Sequence, residues 1–221
     1  MSDLYGFVQQ QSVSRAADGT SRGLRVTRDG AILAVPWIQA LCLEGRVFGA
    51  SYGSASLTYT TPGTFGAGAV DQDEFDYFQA VPATVAVIPV FYGVTYEIIG
   101  TALLCSNLLV YGISGTVVNG IAVTPFNMRP GAGIDSLCTV TGLTDGGGTT
   151  ITVQGCVFMS GATMVTGAVT GANVLPPFSV DQAGYAPVLE GVRQVAGYHA
   201  GQAGTGYVHS VWVELPVAMV R

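Results

Sequence analysis

Pro187-Val-Leu-Glu-Gly-Val-Arg-Gln-Val-Ala-Gly-Tyr-His-Ala-Gly-Gln-Ala-Gly-Thr-Gly-Tyr-Val-His-Ser-Val-Trp-Val-Glu-Leu-Pro216 decides how this chain is read. From Tyr207 to Leu215 the residues alternate. One face carries Tyr207, His209, Val211, Val213 and Leu215; the other carries Val208, Ser210, Trp212 and Glu214. Period-two alternation marks a β-strand with unequal faces. Val192 to Tyr198 is a second strand candidate, and Gly201, Gly204 and Gly206 lie between the two. Glycines there suit a turn that needs positive φ, so the stretch is expected to form one long β-hairpin. Pro216 ends the pairing because it has no N–H to donate.

Working outward, the bulk numbers describe a large single domain, or a domain with an arm. Of 221 residues 31 are Gly, and only 10% are charged, against a usual share of about 25%. Lys is absent, so all eight cations are Arg. Mean hydropathy is +0.46. A monomer of this composition exposes large apolar patches, so much of its surface is expected to be covered by other subunits. Ile98–Met128 and Gly146–Val180 carry no charge, yet Gly, Asn, Ser, Thr or Pro interrupt both within the roughly 20 residues a membrane helix needs. Met1-Ser-Asp-Leu lacks the basic and apolar regions of a secretory signal, which argues against an outer-membrane barrel and for synthesis in the cytoplasm. Cys42, Cys105, Cys138 and Cys156 are widely spaced among apolar residues and read as buried free thiols.

Residues 1–35 read as an extended N-terminal arm and 36–221 as the folded body. Residues 1–30 hold Arg15, Arg22, Arg25 and Arg28 with three Asp, a net +1, whereas the rest of the chain carries −7. Arg28-Asp29-Gly30 between apolar runs is a hairpin signal inside the arm. Trp37–Leu43 suits a short helix, a strand or a loop. Strands are expected at Arg46–Tyr52 and Ser56–Thr61. The acidic run Asp71-Gln-Asp-Glu-Phe-Asp76 lacks the sixth-position Gly of a calcium loop and reads as a solvated lead-in to a strand. Val85-Ala-Val-Ile-Pro-Val-Phe91 is apolar on both faces and expects cover on both: a second sheet on one, a neighbouring subunit on the other. Pro89 marks an edge or a bulge. Further strands follow at 94–99, 102–111, 117–123, 137–141, 149–158 and 164–169, with Asp145-Gly-Gly-Gly148 joining two of them as a hairpin. Ten to twelve short strands without a long amphipathic helix indicate an all-β, antiparallel β-sandwich of the jelly-roll type.

Chemistry is sparse. The only histidines, His199 and His209, stand opposite each other if the last hairpin turns about Gly204. A metal needs a third ligand that is not near in sequence, so an ordinary cross-strand pair is the reading, with no metal and no cofactor. The Gly-rich stretches 145–148 and 201–206 match no phosphate loop. A net charge of −6 with its cations mostly in one arm makes nucleic acid a poor partner. No catalytic constellation stands out, so no enzymatic activity is expected.

Four features together resemble the jelly-roll decoration, or cement, proteins on the heads of tailed bacteriophages. They are Gly19-Thr-Ser-Arg-Gly-Leu-Arg-Val-Thr-Arg-Asp-Gly30, the acidic run 71–76, Val81-Pro-Ala-Thr-Val-Ala-Val-Ile-Pro89, and Gly204-Thr-Gly-Tyr-Val-His-Ser-Val-Trp-Val-Glu-Leu-Pro216. The resemblance implies a homotrimer on the outer capsid surface at local threefold or quasi-threefold positions. Its arm, through Arg15, Arg22, Arg25 and Arg28, would grip the major capsid protein and so stabilise the shell. Two rivals stand beside this reading. One is a head or tail fibre domain that binds host-surface glycan through Tyr52, Tyr59 and Tyr92. The other is a glycan depolymerase using Asp71, Asp73 or Glu74.

Overall fold

A computed structural model describes residues 36–58, 77–99, 104–118, 120–142, 148–163, 167–168, 176–200 and 204–220. The chain begins there with α1 (Trp37–Leu43) and β1 (Val47–Thr58). β2 (Tyr77–Val81), β3 (Val85–Ile99), β4 (Leu104–Val118), β5 (Ile121–Val123), β6 (Phe126–Asn127) and β7 (Thr139–Gly142) follow. Then come β8 (Gly148–Thr163), β9 (Gly167–Ala168), β10 (Phe178–Ser179), α2 (Val180–Ala183), β11 (Leu189–Glu190), β12 (Arg193–Ala200) and β13 (Gly204–Pro216).

All pairings are antiparallel and fall into two sheets. The first runs β10-β3-β13-β1-β6, with β9 and β11 also on β3; the second runs β5-β7-β2-β12-β4-β8. From β1 to β4, and again from β12 to β13, each step along the chain crosses to the other sheet. The orders β1-β13-β3-(β10, β11) and β2-β12-β4-β8 are those of a jelly roll, an all-β sandwich.

That topology corrects the expected C-terminal hairpin. β12 pairs with β2 and β4, whereas β13 pairs with β1 and β3 in the opposite sheet. The alternation within β13 was legible, but its neighbour was not. A jelly roll places its last two strands in different sheets, so they cannot pair. The expected hairpin about residues 145–148 is corrected likewise: β7 pairs with β2 and β5, while β8 pairs with β4. The two proposed strands 46–52 and 56–61 run together as one strand, β1, as far as Thr58, with a register shift between Ser54 and Thr58; 59–61 lie outside the described residues.

Pro89 sits beside a bulge. Val211 faces Phe91 and Trp212 faces Pro89, leaving Val90 as the extra residue. The double cover expected for β3 is met partly within the chain. Ile88 packs against the core and lines a cleft with Trp37 of α1 and Val180 of α2. α1 ends in a Schellman motif: Arg46 N–H donates to Leu41 O and Gly45 N–H to Cys42 O, with Gly45 at φ +71°.

The core lies between the sheets. Phe48, Tyr92, Val208 and Trp212 of the first sheet meet Tyr77, Leu109, Val140 and Val195 of the second. The sheets interlock through tyrosine against glycine. Gly142, Tyr77 and Gly197 lie side by side across β7, β2 and β12. Tyr52 of the first sheet lies against Gly142 and Tyr92 against Gly197, so close that neither glycine has room for a Cβ. Tyr77 projects the other way, hydrogen bonded to Ser210 of β13, which is flanked by Ala50 of β1. A second, smaller cluster, including Phe78, Leu108, Val110, Ile151 and Ala196, comes from the alternate residues of the same strands and packs on the outer face of the second sheet.

Overpacking of this kind costs about 1–3 kcal/mol. Gly197→Ala and Gly142→Ala are each expected to lower stability by about that amount, read as a fall in urea midpoint at unchanged slope.

Candidate functional site

The sandwich has one end where polar groups, charges and a cavity converge. β13 brings Glu214 to the inner face of the first sheet, where it is 6% exposed. The same alternation places Trp212 two residues earlier on that face. Its indole N–H donates to Glu214 Oε1 at 2.8 Å. The segment between β6 and β7 supplies the remaining donors: the Ser136 hydroxyl to Oε1 at 2.5 Å and the Leu137 N–H to Oε2 at 2.9 Å. With the Cys138 thiol, which also hydrogen bonds to it, four neutral donors hold this carboxylate, and among the described residues no cation does. Donors to a charged acceptor are the stronger kind, so Glu214 ties the 128–138 segment to the sheet.

The neighbours respond to burial and to that charge. Burial first, with a smaller contribution from the nearby Glu214 carboxylate, pushes the Tyr77 hydroxyl well above its ordinary range, although its bond to Ser210 counteracts them. Burial first, and then Glu214, push the Cys138 thiol up in the same way. Cys138 is therefore held as a thiol, and a thiol is a poor nucleophile. Cys42 is half-buried and, contrary to expectation, Cys156 is exposed; both are free.

Beside Glu214 opens a cavity of about 380 Å³. Phe48, Val85, Ile134 and Leu137 form apolar walls. Its charged lining is Glu44, Arg46, Asp135 and Glu214, a formal −2. Arg46 is taken by Glu44, with Nε and Oε2 3.3 Å apart. The mouth is built by Asn127, whose amide donates to Gly45 O at 2.8 Å and Ile134 O at 3.0 Å, and by Arg129, which donates to Leu43 O at 2.6 Å. An apolar strip leads outward from it. Leu43, Phe126, Met128, Ile134 and Leu137 are all exposed, Leu137 at 62%.

The two histidines are not a pair. His199 is in register with Asn107 of β4, and His209 with Ser51 of β1 and Gly93 of β3 in the other sheet. His209 has a setting of its own. Its Nδ1 lies 2.9 Å from Ser51 Oγ, and its ring sits 5.7 Å from Phe91 and 6.4 Å from Phe126, stacked on the latter at 16°. A serine on an imidazole suggests nucleophilic catalysis, which also needs a group to orient the base. Among the described residues no carboxylate touches this ring. Nor does any group of three His, Cys, Asp or Glu among them suit a metal ion.

Arg15, Arg22, Arg25 and Arg28 lie outside the described residues, as do Tyr59 and the acidic run 71–76. Tyr52 and Tyr92, expected on a glycan surface, are buried at 9% and 0% exposure, because they fill the glycine sites of the facing sheet. The Glu214 cluster was missed in sequence, although Trp212-Val-Glu214 places indole and carboxylate on one strand face. Ser136 and Leu137 carried no signal. No family model, curated protein or solved structure matches the chain.

Burial lowers the pKa of His209 from 6.5, partly offset by a hydrogen bond to the Ala50 backbone. The unfolded chain therefore takes up a proton at a higher pH than the folded one does. Stability from this group is full above pH 6.5 and is lost as pH falls toward the lower folded value. Thermal melts between pH 7.5 and 5 should show a steeper acid-side fall for the native chain than for His209→Gln. Parallel curves would remove His209 as the cause.

Proposed function

We propose that this chain is a structural virion protein that binds the outer surface of a phage capsid as a homotrimer and stabilises the shell by bridging major capsid protein subunits. The observation that carries the reading is the exposed apolar strip from Leu43 through Phe126, Met128 and Ile134 to Leu137. Such a strip on a rigid sandwich with few charges is a surface built to be covered. In a trimer each pairwise interface joins two different patches, so the strip would be covered by another face of the neighbouring copy or by its two equivalents at the threefold axis. The resemblance to cement proteins and the placement of four Arg in residues 1–30 of an acidic chain point the same way. Arginine forks pair with carboxylates in two-bond geometry, and many copies on one shell make weak single contacts sufficient.

The glycan-binding alternative has lost Tyr52 and Tyr92 to the core. It keeps exposed Tyr185, in the loop after α2, and Tyr207, on β13.

Light scattering and cosedimentation with undecorated phage heads test both halves of the proposal. The full chain is expected to be trimeric and to pellet with heads. Deleting residues 1–30 should leave the trimer and abolish pelleting. Met128→Asp, at an exposed position that does not line the cavity, should leave the fold intact yet dissociate the trimer. A monomeric native chain, or full occupancy by the truncated one, overturns the corresponding half.

A further inference from the structure

The outer face of the first sheet carries a row of side chains that crosses β3, β13, β1 and β6. Phe126 of β6 and the neighbouring Met128 lie over Gly49 of β1, at 2.9 and 3.5 Å from where a Cβ there would stand. Phe91 and Pro177 lie over Gly93 of β3 in the same way, at 3.1 and 3.4 Å. His209 of β13 stands between the two rings, 5.7 Å from Phe91 and 6.4 Å from Phe126, with Ser51 of β1 on its Nδ1. Phe126 and Met128 are exposed, and His209 and Phe91 are half-buried.

Charge is missing from this face. Facing His209 are Ser51 from β1, Phe91 and Gly93 from β3, and Phe126 from β6; along its own strand the same face carries Tyr207 and Val211. None of these is an acid or an arginine, so among the described residues here His209 is the one group that titrates near neutral pH. Such a face offers nothing to a charged partner. Apolar, uncharged contacts are the mark of permanent interfaces between copies of one chain. The face is also continuous with the exposed strip, because Phe126 and Met128 belong to both.

We propose that the contact between copies of this chain extends from the strip across this outer face, and that protonation of His209 opens it. The inference rests on the trimer of the preceding reading and adds its regulation. A second copy covers a neutral imidazole at little cost, with Ser51 already on Nδ1. An imidazolium is different: covering it removes its water, and this face supplies no counter-charge. Attraction of the cation to the two phenyl rings is the smaller effect. Where a threefold axis brings equivalent faces together, repulsion between like charges adds to the penalty. The assembled state therefore binds the proton less readily than a free copy does. Assembly is full above pH 6.5, the ordinary histidine value, and half-burial alone already sets the free copy lower. As pH falls through that lower value, association weakens by up to about tenfold per histidine for each pH unit.

Sedimentation velocity of the full chain in steps from pH 7.5 to 5 tests this, with near-ultraviolet circular dichroism recorded at each step. The native chain should be a trimer at pH 7.5, pass to folded monomers as the pH falls, and reassemble on neutralisation. His209→Gln should stay trimeric throughout, and His209→Arg should be a folded monomer at pH 7.5. If His209→Arg fails to fold, the comparison of the native chain with His209→Gln decides. A native trimer that persists to pH 5 overturns the proposal. So does a folded His209→Arg trimer, a His209→Gln trimer that dissociates at the same pH as the native one, or a monomer that appears only as the fold is lost. A trimer indifferent to pH would leave the capsid reading standing, whereas a native chain that is monomeric at pH 7.5 removes the trimer and this inference together.

Discussion

Two sheets can be drawn close only where the side chains of one find gaps in the other, and here the gaps are glycines. Tyr52 and Tyr92 fill the spaces at Gly142 and Gly197, while Tyr77 returns between them toward Ser210. Tyr77 and Tyr92 are 6.0 Å apart and tilted by 52°, a favourable arrangement of ring edge toward ring face. Large residues opposite small ones give a packed interior without voids. This interlock sets the register between the layers, and with it the position of every inward side chain along β13.

Glu214 depends on that register. With Trp212 packed on Phe48, ring centroids 6.5 Å apart, the next inward residue of β13 falls at the open end of the sandwich. A carboxylate there is tolerable because four donors reach it, three of them from the 136–138 segment. The same contacts pin that segment over the end of β1, which shapes the cavity and turns Leu137 and Ile134 outward. One buried charge thus organises a polar floor, an apolar wall and an exposed apolar rim.

Some of this was written openly in the residues. The alternation in 207–215 named the inward face correctly: Val208, Ser210, Trp212 and Glu214 are all buried. The other face was less regular, for Val211 and Val213 are buried too, within the core cluster that Ile38, Leu41 and Cys42 of α1 help to cover. The pairing of strands was not legible in the same way. Glycines at 201, 204 and 206 serve a tight turn and a crossing between sheets equally well, so the apparent match of His199 with His209 carried no spatial information. Tyr52 and Tyr92 misled for a related reason. A tyrosine in a strand is amphipathic, and only the residue it meets decides whether it is core or surface.

By itself the sequence determined the all-β class, the approximate strands, the inward face of the last strand and the uneven charge between residues 1–30 and the remainder. These follow from local quantities: periodicity, turn chemistry and composition. Tertiary structure alone decided which strands became neighbours, that the two histidines lie in different sheets, and that Ser136, Leu137, Trp212 and Glu214 meet. Those contacts join residues up to 78 positions apart. Their geometry comes from how two twisted layers fit together, and no local pattern in the chain records that fit.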